Sequence, residues 1–188
     1  MKRILRNRMA ISFTRGMFLY SALLLMMIPF RLFAAVVISA VIHECFHIAS
    51  IRIMGKEIHA LQIGPRGAII HTQIMSDKEE LICALAGPLS GFFLIFFFKW
   101  TPVIALTGFV HSLYNLLPIY PTDGGRILRC GMRLLFPCNV ADKVQYWTEV
   151  VTLSIISAVC AYGTVFLRLG IIPAILAAAL LLKSSNRS

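Results

Sequence analysis

Apolar residues come in long runs along this chain, separated by short stretches that hold the charges and the helix breakers. Crossing a hydrocarbon core of about 30 Å takes about 20 helical residues. Six runs approach that length: 16–30, 32–51, 81–98, 102–117, 147–167 and 169–182. The first and last are short, which leaves their ends poorly defined. Between the second and third runs the pattern changes: residues 57–74 read as two β-rich stretches around Gly64-Pro65-Arg66-Gly67, a turn signal that predicts a hairpin. The expected fold class is an all-α polytopic membrane protein of about six transmembrane helices, with a small β-hairpin at the cytosolic membrane surface between helices 2 and 3.

Composition excludes a soluble enzyme. Apolar residues make up 59% of the 188 and charged residues 14%, against roughly 25% charged in an average soluble domain. Lys and Arg outnumber Asp and Glu 18 to 8, and their placement matters more than their number. With the N-terminus inside, 15 of the 18 basic residues fall on inner segments and only Arg31, Lys99 and Arg168 outside, as the positive-inside rule requires. The expectation is a multi-pass protein with both termini cytosolic. Topology and the anionic lipid of the inner leaflet account for the basic excess, so no nucleic-acid partner is expected. Lys2, Arg3, Arg6 and Arg8 precede the first run as in a secretory signal, but no small-x-small cleavage site closes it, and it reads as a retained span. The five cysteines form no C-x-x-C pair and read as apolar fillers.

The second run carries residues that a membrane helix selects against: His43, Glu44 and His47. A charged group at the centre of a span costs at least ~2.5 to 3.5 kcal/mol on insertion scales, and the default reading is function. Residues four apart on a helix differ by about 40° in azimuth, so both imidazoles face one way and can bind one metal ion. Glu44, about 100° from His43, would stand beside the ion and take a proton from a water there. This is the H-E-x-x-H arrangement of zinc hydrolases. The competing reading is two buried histidines bonded across helices, with Glu44 as an ion partner.

A catalytic zinc site has three protein ligands and an open position, so a third must come from elsewhere. Two prolines and two glycines surround Asp123 in the stretch Asn115 to Arg126. Such irregular backbone at membrane depth is tolerated only where protein or a water cavity surrounds it. Asp123 is the candidate third ligand, giving one Zn2+ per chain, and its alternative is a turn-forming Asp-Gly.

An intramembrane His43-Glu44-x-x-His47, Ala86-Gly87-Pro88 in the third run and the stretch 115–125 together resemble the site-2 protease family of intramembrane zinc metalloproteases. The likeness covers about residues 15–180 and leans toward the family's sporulation branch. It implies a bacterial cell-membrane location, His43, His47 and Asp123 as metal ligands, and Glu44 as general base. Implied partners are a membrane or membrane-associated protein substrate, with a sigma factor precursor as one such substrate, the lipid bilayer, and membrane inhibitor or regulator proteins. Residues 1–188 are expected to form a single metalloprotease domain, its catalytic core about 32–130, without the nucleotide-sensing CBS domain of many sporulation relatives. Many members have glycine before the second histidine; this chain has Phe46.

Several assignments stay open. The hairpin is either a structural flap or an edge that accepts a substrate as an added strand. Asn115 either orients the scissile peptide or, with His111 on the same helix face, bonds a neighbouring helix. His59 and His71 read as interfacial polar residues, and Gly87 and Pro88 as aids to packing and kinking. A transporter of divalent metal or protons also places histidines and carboxylates inside helices, but would want polar residues on several spans. An inactive membrane chaperone of the same fold is the third class.

Overall fold

The computed structural model describes residues 10–64 and 67–165. The elements are β1 (Ala10–Phe13), α1 (Arg15–Met27), α2 (Phe30–Ile53), β2 (Ile58–Gly64), β3 (Gly67–Thr72), α3 (Asp77–Ile95), α4 (Pro102–Asn115), α5 (Asp123–Leu135) and α6 (Cys138–Val165). The chain divides into two compact units between Leu113 and Tyr114. The first runs from β1 through nearly all of α4, the second from there through α6.

In the first unit α2 is turned inside out. Its buried positions are Ala35, Ser39, His43, His47, Ser50 and Ile51, while Val37, Ile38 and Val41 are exposed. Water would penalise that arrangement; lipid accepts it, because apolar side chains are at home there and small or polar ones hold helices together. Ser39 does so directly: its hydroxyl lies 2.8 Å from that of Thr107 and 3.2 Å from the Ile104 carbonyl, both on α4. Between α3 and α4, Phe92 and Phe109 meet edge to face at 5.5 Å.

The hairpin falls where the turn signal puts it, although Pro65 and Arg66 lie outside the described residues. Sequence did not show that β2 has a second neighbour. The sheet order is β1-β2-β3, with β1 parallel to β2 (Ala10 opposite Ala60, Phe13 opposite Ile63) and β3 antiparallel (Ile58 opposite Thr72). Ile51, Ile58 and Cys83, with Ile48, Met54, Ile70 and Met75 around them, form a core that joins α2, the hairpin and α3.

Helix α3 opens with a capping box. The Ser76 amide donates to Glu79 at 2.8 Å, the Glu79 amide donates to the Ser76 hydroxyl at 3.4 Å, and Lys56 pairs with Glu79 at 3.0 Å. The Ser76 amide, followed by Lys56, holds the Glu79 carboxyl below its usual range. A carboxyl lowered by folding supports the fold above its unfolded pKa, about 4.3, and loses that support as pH falls through the lowered value. At pH 7, hydrogen exchange of residues 76–79 is therefore expected to be slower in the unaltered protein than in Glu79→Gln, and the difference to vanish in acid. Equal exchange at neutral pH would contradict the cap.

The six described helices are not the six apolar runs. Runs one to four appear as α1 to α4 with shifted ends. The fifth begins nine residues earlier than expected, at Cys138, and 169–182 lies outside the described residues. Helix α5 comes from a charged stretch that the sequence suggests is an inner loop; Arg126, Arg129 and Arg133 recur every three to four residues, the period of one helix face. Among the described residues two helices are long and apolar enough to cross a membrane, Phe30–Ile53 and Cys138–Val165, and Arg15–Met27 is a shorter apolar one. Helix α4, with 14 residues, is only about 21 Å long, and α3 carries Asp77, Glu79 and Glu80 in its first turn. In the second unit, Asp142 of α6 meets Arg133 at 3.0 Å and Arg129 at 3.8 Å on α5.

Candidate metal centre

The i, i+4 spacing does what the helix demands. His43 and His47 are both buried, and their Nε2 atoms lie 3.3 Å apart. Zinc holds imidazole nitrogen at about 2.0 to 2.1 Å in tetrahedral geometry, which separates two such nitrogens by about 3.3 to 3.4 Å. The pair fits that ion as it stands. The Nδ1 of His47 lies 2.7 Å from the Cys83 carbonyl on α3; an Nδ1–H donated to that carbonyl would fix the tautomer with the Nε2 lone pair able to hold a metal ion, as outer partners of metal histidines commonly do.

Helix α3 comes this close because Gly87 has no side chain. A Cβ there would collide with Nε2 of His47 and lie 2.8 Å from Cε1 of His43. Packing is indeed the role of Gly87, and what it packs against is the histidine pair itself.

In the second unit Asp123 is buried. It does not sit in a wholly non-helical turn, as the prolines suggest, but is the first residue of α5. Thr122 caps that helix: its hydroxyl accepts from the Gly125 amide at 3.4 Å and reaches the carbonyls of Leu117 and Ile119 at 2.5 and 2.6 Å. The incoming loop, with its cis Tyr120-Pro121 bond, lies so close that a Cβ on Gly124 would come within 2.6 Å of the Leu117 carbonyl oxygen, and one on Gly125 within 2.6 Å of the Tyr120 nitrogen. Arg126 stands 3.6 Å from the Asp123 carboxylate.

Glu44 follows His43 on α2 and is half-buried, and Asn115 is the last residue of α4 and also half-buried. His59 and His71 are exposed on β2 and β3. Phe46, which departs from the resembled pattern, packs against Phe93 of α3 with ring centroids 5.7 Å apart. His111 of α4 meets His43 edge to face at 4.8 Å; the sequence offers a contact of His111 with a neighbouring helix, but not that its partner is His43. Gln145 and Glu149 are buried within α6, so polar groups are not confined to the helices that carry the motif.

No protein-family model matches the chain. The solved structure of the site-2 protease from Methanocaldococcus jannaschii superposes with a TM-score of 0.64 over 96% of this chain and 92% of that one, at 21% identity. This chain shares its fold with a site-2 protease. A curated relative, zinc metalloprotease MJ0392 of the same organism, is 29% identical over 112 residues, covering 52% of this chain and 33% of the relative. The chain thus spans about a third of the length of the curated relative it matches.

Proposed function

We propose that this protein is an intramembrane zinc endopeptidase that hydrolyses peptide bonds of membrane-embedded or membrane-associated proteins near the cytosolic face. The observation that carries the reading is the buried imidazole pair of α2 at zinc-ligand spacing, next to a carboxylate that the helix turns aside. Asp123, buried in the second unit, is the third ligand of this reading beside His43 and His47. The zinc metalloprotease relative and the site-2 protease fold support the same choice of ion.

Zinc, when bound, supplies Lewis acidity toward a water and a peptide carbonyl. The rest falls to the chain. Glu44 takes the proton of the attacking water and returns it to the leaving amine. Asn115, at the end of α4, orients the scissile peptide. A helical peptide bond is hydrogen-bonded and shielded, so substrates must unwind at the cleavage point, and helix-breaking or small polar residues there favour it. On the sporulation-like version of this reading the substrate is a sigma factor precursor, both termini lie in the cytosol of a bacterial cell, and membrane proteins regulate access.

A metal or proton transporter is the second reading, and buried Gln145 and Glu149 in α6 are the observation in its favour. Elemental analysis of protein purified in mild detergent is expected to give one zinc per chain. Loss of that zinc on combining His43→Ala with Asp123→Ala is the expected result; a metal content unchanged by the pair of substitutions would refute the ligand assignment.

A further inference from the structure

The two histidines of α2 are held in different ways. His47 is fixed by its Nδ1 contact with the Cys83 carbonyl. The ring of His43 meets two other imidazoles nearly perpendicularly, His47 at 4.9 Å and 81° and His111 at 4.8 Å and 87°. The last torsion of a histidine is broad and roughly two-fold, so a rotamer alone does not set the plane of the ring. Near-perpendicular packing against two neighbours does, because edge-to-face contact is the favoured geometry of aromatic pairs. One of these neighbours is the other proposed ligand. The other is a half-buried residue of α4 that lies outside the candidate ligand group.

We propose that His111 is a positioning residue of the metal centre, whose ring fixes the plane of His43 so that its Nε2 stays directed at the ion. The proposal rests on the zinc reading given above. It gives the third imidazole of the first unit a role: edge-to-face packing from α4 sets the plane of a proposed ligand ring. It also separates the roles of two residues one turn apart on α4, His111 acting on the ligand and Asn115 on the substrate.

Cobalt tests this without any substrate, because Co2+ takes zinc sites and its visible bands report ligand geometry. The full chain in detergent, stripped of metal and loaded with Co2+, should show a tetrahedral spectrum that His43→Ala abolishes. His111→Ala and His111→Leu should shift that spectrum and weaken zinc binding by about ten- to a hundredfold, the usual cost of losing an outer partner. His111→Phe keeps an aromatic edge and should restore both. A parental spectrum and affinity in the Ala and Leu variants, or a Phe variant no better than Leu, overturns the proposal while the zinc reading stands. Failure of the unaltered protein to bind Co2+ or zinc removes the zinc reading itself, and the positioning role with it.

Discussion

Glu44→Gln is expected to bind zinc as the unaltered protein does and to lose proteolysis by at least about two orders of magnitude, the scale of general-base catalysis. The substitution keeps size and hydrogen-bonding reach and removes only the ability to take a proton. On the proposed zinc reading Glu44 follows the ligand His43 on α2 but faces about 100° away from it, so the ion would have no need of it. The variant should therefore still capture substrate and hold it uncut, and comparing host membranes that carry Glu44→Gln with those that carry the unaltered protein by mass spectrometry would reveal the substrate as the species that accumulates. Asp123→Ala should behave differently, losing zinc along with activity. Normal cleavage by Glu44→Gln would end the hydrolytic mechanism, and metal uptake into vesicles by the unaltered protein would favour transport.

The second large effect is expected at a residue with no functional group. Gly87→Ala adds one methyl group to α3, where alanine is the better helix former by about 1 kcal/mol. Helix propensity alone predicts a gain in stability. The new Cβ would meet Nε2 of His47, the atom proposed to hold zinc, and the imidazole cannot swing aside without leaving the Cys83 carbonyl. Zinc affinity should fall by about a hundredfold, as read by competition with a chelator, with helix content unchanged. Gly131→Ala is the control, because a Cβ there meets nothing within 4 Å. Parental zinc affinity in Gly87→Ala would show that α3 does not press on the ligands.

These two cases mark where the sequence is legible. His43, Glu44 and His47 could be read because one helix carries all three, and helix geometry alone fixes their relative directions. Asp123 could be singled out because prolines and glycines crowd around it, although its place at the start of α5 could not, since Thr122, the capping residue, was hidden among breakers. Helix α5 was missed because its arginines lower the hydropathy on which the search for spans depends. Strand β1 escaped because its partner is β2, about fifty residues away, and four residues carry no period of their own. Gly87 and His111 could be marked as packing positions, but the sequence does not show that both pack on the histidine pair of α2. Local periodicity is silent about such contacts.

Between β1 and α1 there is a single residue, Thr14, whose amide donates to the Ile63 carbonyl at 2.9 Å and so continues the pairing with β2. No slack separates the sheet from the first apolar helix. The two form one lever: a guest strand that pushed or tilted the sheet would swing α1 with it, and a force on α1 would reach the sheet by the same route.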